Sequence, residues 1–244
     1  MARWTRDELL LALDLYFRTP FGKQHSRHKP IIELANRLER TPSAVAMKLN
    51  NLTSLDPAER ARGIQGLGNA SRLDSQIWDE YSQNPGEIAL EIEHLIQPGS
   101  QVSKEGKLQT ETETVRRVRL QQNFFRRVVL DTYESRCCVS GLPVPELLRA
   151  SHIVPWSRSE KDRLNPQNGL CLAATFDAAF DRGLIWFDDE YRLRLTSRLV
   201  EFESDSETKD VFIRRDGLQL RLPEKNLPDR DLLGWHRENI AQLN

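Results

Sequence analysis

CCVSGLPVPELLRASHIVPWSRSEKDRLNPQNGLCLAATFDAAFDRGLIWFD, residues 137–188, is the stretch of this chain that decides its fold. Residues 147–150 predict a short strand, and Pro155 ends regular pairing shortly after His152. His152 is therefore expected where a strand opens into a loop. The loop itself, residues 157–168, is rich in charged and turn-forming residues.

Beyond this loop, GLCLA predicts a second apolar strand, and FDAAFDR predicts a helix that Thr175 caps and Gly183 ends. On that helix Asp177 and Asp181 are four residues apart and share a face. Two phenylalanines share the neighbouring face. One face can therefore hold a metal ion while the other packs.

Four polar residues of this stretch suit the hydrolysis of a phosphodiester bond. A neutral histidine such as His152, with an ordinary pKa of about 6.5, can take a proton from water. Asp177 and Asp181 offer the hard oxygen ligands that Mg²⁺ prefers, and Mg²⁺ keeps several waters, so one or two carboxylates suffice. Asn168 can fix the loop behind His152 by hydrogen bonds to backbone groups.

The motifs ASHIVPW, PQNGLCL and TFDAAFDRGLIWF, in this order, resemble the HNH endonuclease family. The resemblance implies a small hairpin-and-helix unit around one metal ion, with His152 as general base and Asn168 ordering the loop. Asp177 replaces the helical histidine that is a metal ligand in the family, which favours Mg²⁺ or Mn²⁺ over softer ions. Asp181 can compensate for missing ligands, and Ser151 stands where many members have an acidic residue.

The composition indicates a globular chain with no general attraction to nucleic acid. Charged residues make up 29% of the 244 residues and the net charge is −1, so any surface for a polyanion is local. No apolar run approaches the ~20 residues of a membrane span, and an odd number of cysteines favours a reducing, cytoplasmic location. Cys137, Cys138 and Cys171 are too few for a four-ligand zinc site unless His152 were the fourth ligand, and we expect them to be buried.

The N-terminal region predicts a helical domain. Thr5 and Glu8 have capping-box spacing before a first helix, PIIELANRLER predicts a second, and TPSAVAMKLNNL predicts a third that Thr41 caps. The region resembles Myb-like DNA-binding domains with Trp4 in the core, in which the third helix enters the major groove. The residues offered to DNA are Ser43, Met47, Lys48, Asn50 and Asn51. Docking of a protein is the alternative role of such a unit.

We therefore expect an α+β protein with three parts. An all-α, three-helix or helix-turn-helix domain covers residues 1–98, a polar linker covers 99–113, and an HNH nuclease domain covers 114–244. The last domain opens with a helix whose arginines point outward, either as a solvated face or as phosphate contacts. These arginines are Arg116, Arg117, Arg119, Arg126 and Arg127.

After the site, hairpins are expected at 184–196 and 211–222, followed by a terminal helix in which His236 is a surface or packing residue. The sequence as a whole favours a metal-dependent endonuclease of the restriction or defence type, acting on double-stranded DNA. Two alternatives stay open: a DNA-binding regulator with a degenerate nuclease domain, and a less specific nuclease effector whose N-terminal domain docks a protein. A single site per chain suggests a homodimer for cutting both strands, although the sequence carries no dimer signal.

Overall fold

The computed structural model describes residues 3–97 and 110–242. The chain divides into two compact units, Met1–Phe124 and Phe125–Asn244. The first unit is helical and the second combines helices with two small antiparallel sheets, in agreement with the expected order of a helical half and a mixed half. Within the described part of the chain, no helix is both long enough and apolar enough to cross a bilayer.

The helices of the first unit follow one another closely along the chain. They are α1 (Arg6–Arg18), α2 (Lys29–Arg37), α3 (Pro42–Leu55), α4 (Pro57–Ala61), α5 (Arg72–Gln83) and α6 (Pro85–Ile96), with the start of α7 (Thr110–Thr132) as the next helix of the described chain.

Helix α1 lies at the centre of this unit. The predicted capping box is present at its start, where Thr5 Oγ1 accepts from the Glu8 amide at 3.3 Å and the Glu8 carboxylate accepts from the Thr5 amide at 2.7 Å. Residues 9–17 are all buried, because α2, α3, α5 and α6 pack on α1. Three helices alone would leave part of α1 in water, so α5 and α6 complete the core.

Helix α3 begins as the sequence predicts, with Pro42 at its first position and Thr41 Oγ1 accepting from the Ala44 amide at 3.2 Å. It packs against α1 and α2, and α5 also packs against it. The additional contact with α5 covers part of the helix that a helix-turn-helix unit would present to DNA.

Helix α7 starts earlier than the predicted domain boundary. Residues 99–109 of the predicted linker lie outside the described residues, and 110–113 are helical instead of linker. The boundary between the two units along the chain falls within this helix, after Phe124. Phe124 is fully buried and contacts Phe17 edge to face, with ring centroids 6.3 Å apart. The helical turns before Phe125 therefore belong to the first unit.

The second unit is organised around a two-stranded hairpin and a helix. Strands β1 (Leu148–His152) and β2 (Gly169–Ala173) pair antiparallel, with Leu148 opposite Ala173 and His152 opposite Gly169. Helix α8 (Ala174–Asp181) follows β2 without a break and packs on both strands. The prediction that Thr175 caps this helix is wrong, because the chain turns directly from β2 at Ala173 and no side chain caps the helix.

Beyond α8 the structure departs from the two predicted hairpins. The first is present as β3 (Ile185–Phe187) and β4 (Leu193–Leu195). Helices α9 (Ser197–Val200) and α10 (Ser206–Val211) come next, so the second hairpin is wrong. Asp205 caps α10 by accepting from the Thr208 amide at 2.7 Å, and Leu218 accepts from the Leu193 amide at 2.9 Å instead of pairing with 211–214.

The end of the described chain packs against α8. Helix α11 (Arg230–His236) continues into a π-helical turn, Arg237–Ala241. Gly183, which follows α8 as predicted, has a φ of +63°, and a Cβ there would lie 2.5 Å from the Ile240 carbonyl oxygen. Glycine is needed at this position for both reasons, since it adopts positive φ without strain and allows close backbone approach.

Candidate active site

His152 is the last residue of β1, and aromatic rings hold its imidazole on two sides. The Phe125 ring stacks on it with centroids 3.8 Å apart and planes 13° apart, and Trp156 meets it edge-on at 5.6 Å. The cross-strand partner of His152 is Gly169, where a Cβ would lie 3.0 Å from Phe125 and 2.4 Å from Val129. The missing side chain at Gly169 therefore makes room for α7 to place Phe125 over the imidazole.

The hydrogen bonding of His152 determines which ring nitrogen can act as a base. Nε2 lies 3.0 Å from the carbonyl oxygen of Arg163, and a carbonyl only accepts, so Nε2 carries the hydrogen. Nδ1 then holds the lone pair. Burial lowers the pKa of His152 below its ordinary 6.5, while the bond to Arg163 works in the opposite direction. The imidazole is therefore neutral at pH 7 and able to accept a proton at Nδ1.

Asn168 holds the loop between the two strands closed behind His152. It is fully buried, its Oδ1 accepts from the Val154 amide at 2.8 Å, and its Nδ2 donates to the carbonyls of Val154 at 3.1 Å and Asp162 at 3.0 Å. These are the backbone hydrogen bonds that the sequence predicts for Asn168. They fix both ends of the loop relative to β1.

Arg163 contributes to the same loop through both its main chain and its side chain. Its carbonyl accepts from His152, and its Nε donates to the carbonyl of Trp156 at 2.9 Å. The guanidinium carbon lies 5.4 Å from the centroid of the Trp156 ring, within the range of a cation–π contact. Arg163 therefore orients the imidazole through its carbonyl and holds Trp156 at the edge of the ring through its side chain. The sequence analysis did not single out Phe125 or Trp156 as partners of His152, because both contacts depend on tertiary packing.

Helix α8 carries the two carboxylates, one turn apart. Asp177 lies in the first turn of the helix and is half-buried, and Asp181 is the last residue of the helix. Partial desolvation, and then the neighbouring Asp177, raise the pKa of Asp181, while Arg182 opposes the shift. Within the described residues no three His, Cys, Asp or Glu side chains converge to bind a metal. The donor set on α8 is therefore two hard oxygen ligands whose mutual repulsion a divalent cation would relieve, and such a cation keeps waters in its other positions.

Comparison with known proteins agrees with this geometry. Residues 137–188 match a protein-family model described as HNH endonuclease. This segment is an HNH endonuclease domain. It contains β1, β2, α8 and β3, with all four predicted site residues. A search of curated proteins finds no match to the chain.

His236 supports the HNH domain from outside the matched segment. Its ring stacks on Phe180 of α8 with centroids 3.6 Å apart, and its Nε2 lies 3.0 Å from the Phe180 carbonyl oxygen. Burial lowers its pKa to about 4, although the hydrogen bond to the Phe180 carbonyl acts in the opposite direction. The sequence predicts a surface or packing role for His236, and the structure places it in packing contact with α8.

The three cysteines of the chain are buried beside the hairpin of the HNH domain, as expected. Burial, and then its neighbours Cys137 and Cys171, raise the pKa of Cys138 well above its ordinary value. The Cys138 thiol therefore stays protonated at neutral pH, which suits apolar packing.

The arginines of α7 differ from one another in what they contact. Arg126 donates to the carbonyls of Leu148 at 2.9 Å and Pro145 at 3.1 Å, so it anchors the start of β1 and does not point outward as predicted. Arg117 forms an ion pair with Glu87 in the first unit. Arg119 is exposed, while Arg116 and Arg127 are half-buried.

The DNA contacts predicted on α3 need correction. Lys48 is 6% exposed, and its ammonium lies 2.8 Å from the Asp74 carboxylate of α5. Asn51 is 8% exposed, and Asn50 Nδ2 donates to the carbonyls of Gln24 and Ala46. Lys48 points inward because α5 packs on α3, whereas Asn50 is held by carbonyls of α3 and of the segment before α2. Ser43 is exposed.

Proposed function

We propose that this protein is a divalent-metal-dependent endonuclease that hydrolyses phosphodiester bonds in double-stranded DNA, with His152 as general base. The observation that carries the proposal is the imidazole of His152, which is fixed by Phe125 and Arg163 within an HNH domain and presents an unprotonated Nδ1.

His152 would take a proton from the attacking water at Nδ1. The hydrogen stays on Nε2 and is donated to the Arg163 carbonyl throughout, so the imidazolium that forms still has this oxygen as its acceptor. The stacked Phe125 keeps the ring plane constant, and Asn168 keeps the loop from opening as charge develops. General-base catalysis of this kind contributes ~10²–10⁴-fold to the rate.

Asp177 and Asp181 would hold the cation. When bound, Mg²⁺ or Mn²⁺ supplies positive charge that offsets the charge on the phosphate and on the departing oxygen. Carboxylate oxygens favour these hard ions over softer ones. Asp177 is half-buried near the end of β2, whereas Asp181 lies one turn further along the helix and is exposed, so Asp177 is the main ligand in this proposal.

The biological role that we propose is restriction or defence, in which the helical unit Met1–Phe124 finds the target and the HNH domain cuts. The pairing of a separate helical unit with a nuclease domain supports this role.

The test is cleavage of supercoiled plasmid by the full chain in Mg²⁺, Mn²⁺ or EDTA, with His152→Gln as the variant. Glutamine keeps an N–H that can donate to Arg163 but has no basic nitrogen, so we expect a loss of ~10²-fold or more with little change in melting temperature. Because the pKa of His152 is lowered from 6.5, the neutral base persists as pH falls through 6.5. The wild-type rate should therefore fall to half its maximum on the acid side at a pH below 6.5.

Near-normal cutting by a folded His152→Gln protein would show that another group is the base. If the wild-type protein binds DNA but cuts it with none of these metals, the regulator with a degenerate nuclease domain replaces the nuclease. This alternative stays open because Ser151 stands where many HNH endonucleases have an acidic residue. The buried Oγ of Ser151 has no hydrogen-bond partner within the described residues.

A further inference from the structure

The segment that joins α1 to α2, together with the first two residues of α2, concentrates positive charge. Residues 19–30 contain Lys23, Arg27 and Lys29, together with His25 and His28, and no acidic residue. The net charge of the whole chain is −1, so this basic loop is a local departure from a nearly neutral molecule. A polyanion is attracted to such a local surface even when the overall charge gives no attraction.

Hydrogen bonds to one buried residue, Gln24, hold the basic loop in place. Its Nε2 donates to the Thr19 carbonyl at 3.2 Å, and its Oε1 accepts from Thr53 Oγ1 at 2.9 Å. Asn50 Nδ2 donates to the Gln24 carbonyl at 3.1 Å. The loop is therefore anchored to α3 before any ligand arrives, and a preorganised loop loses less conformational entropy on binding.

Two cations of the basic loop, Arg27 and Lys29, face solvent with little neutralisation. Arg27 and His25 are exposed, and Lys29 meets Glu33 only at 3.7 Å, with 87% of the lysine side chain accessible. Exposed pairs of this kind contribute little energy and break readily. Burial is the largest cause of the lowered pKa of His28, and the neighbouring His25 and Lys23 lower it further.

We propose that the basic loop, and not α3, is the main contact of the first unit with the DNA phosphate backbone. Lysine and arginine on a fixed loop can neutralise phosphates without reading bases, which gives sequence-independent affinity and positions the duplex. Asn50 then acts as a positioning residue for the loop, through Gln24, and not as a base reader. The choice of duplex DNA as the polyanion rests on the proposed nuclease function.

The test compares two charge-reversed variants of the full chain in EDTA, where no cleavage occurs. Arg27→Glu/Lys29→Glu changes the loop, and Arg60→Glu/Arg72→Glu makes the same change of net charge at exposed positions on α4 and α5. Binding of a fluorescein-labelled 30-base-pair duplex is followed by anisotropy at several salt concentrations. We expect the loop variant to bind ~10-fold or more weakly and to lose ~2 from the salt slope, at ~0.9 per phosphate contact. The control should change by less than ~2-fold.

Three outcomes would overturn the proposal. Equal binding by the wild type and the loop variant excludes the loop, and an equal loss in both variants shows an effect of net charge alone. Competition by polyglutamate as strong as that by duplex at equal charge indicates an acidic protein partner. Melting temperatures confirm that the variants are folded. If the wild type cuts plasmid and the loop variant binds DNA normally, only the inference about the loop is contradicted. If the wild type binds DNA through the loop but never cuts it, only the proposed nuclease function is contradicted.

Discussion

Asn168 in the second unit and Asn50 in the first use their side chains in the same way, since each donates to two backbone carbonyls and holds a loop. The sequence analysis predicted this role for Asn168 and missed it for Asn50. Asn168 stands between a polar loop and a strand, and its partners Val154 and Asp162 lie within 14 residues. Asn50 stands within a helix, and its partner Gln24 is 26 residues away. The orientation of a polar residue on a helix depends on which helices pack around it.

The charged residues of the two units also differ, in this case in how their charges are balanced. In the first unit Lys48 and Asp74 form a buried ion pair, so the charge is neutralised inside the fold. In the second, Asp177 and Asp181 are like charges side by side, and the pKa of Asp181 is raised partly for this reason. Removing one partner of a buried ion pair destabilises a fold, whereas adjacent like charges suit a bound cation. Variants of each pair should therefore separate stability from activity in opposite directions.

The largest effect is expected for Lys48→Ala. Removing the ammonium leaves the Asp74 carboxylate buried without its cation, which typically costs about 3–5 kcal/mol in the free energy of unfolding. Hydrogen–deuterium exchange of peptides from α1 and α3 reports the first unit alone, and these peptides should lose protection. DNA affinity of the protein that remains folded should not change.

The control for Lys48→Ala is the double variant Lys48→Met/Asp74→Asn, in which neither charge remains. Methionine fills much of the lysine volume and asparagine can still cap α5 through its interaction with Ser71, so most of the protection should return. If Lys48→Ala kept full protection but lowered DNA affinity and the salt slope, Lys48 would be a phosphate contact and our correction would be wrong.

A smaller effect is expected for Asp177→Asn, which should lower activity without lowering stability. Loss of the proposed main ligand should lower cleavage in Mg²⁺ by more than ~100-fold, the upper end of what losing an outer-shell partner costs, or about 2.7 kcal/mol in the activation free energy. The melting temperature should stay the same or rise, because the repulsion between Asp177 and Asp181 is removed. Plasmid cleavage and differential scanning fluorimetry measure the two quantities.

Asp181→Asn is the matched comparison, since it removes the same charge one helical turn away. We expect it to lower cleavage less than Asp177→Asn does, because Asp181 is exposed at the end of α8. If Asp181→Asn abolished cleavage while Asp177→Asn did not, the alignment of α8 with the family would be shifted by one turn.

Local signals account for what could be predicted from the sequence. Thr5 and Thr41 cap α1 and α3 through partners three residues away, and the apolar run GLCLA leads directly into α8. The order of His152, Asn168 and the α8 carboxylates was likewise readable, because these residues follow one another along a compact motif.

Contacts between distant segments account for most of what could not be predicted. The stacking of Phe125 on His152 requires Gly169, a residue on a third segment, to lack a side chain. The burial of Lys48 requires α5. The second hairpin failed partly for a local reason, since Asp205 caps α10 and draws residues 206–211 into a helix. Its other strand pairs with Leu193 and thus depends on β4.

The smallest effect is expected for Asn51→Ala, and it tests most directly whether α3 reads bases. Asn51 is 8% exposed, and its Oδ1 is buried with no hydrogen-bond partner within the described residues. Removing an unsatisfied buried acceptor relieves a desolvation cost, which offsets the lost packing, so stability should change by less than about 1 kcal/mol in either direction. Loss of a residue that contacted a base edge would instead cost roughly 1–3 kcal/mol of binding free energy on the preferred site alone.

Selection of bound duplexes from a randomised pool, made with the wild type and with Asn51→Ala, measures the sequence preference. Identical preferences are expected, with Ser43→Ala as the exposed control on the same helix. A changed preference for Asn51→Ala would mean that α3 turns this side chain outward on DNA and that the first unit reads sequence as a helix-turn-helix does.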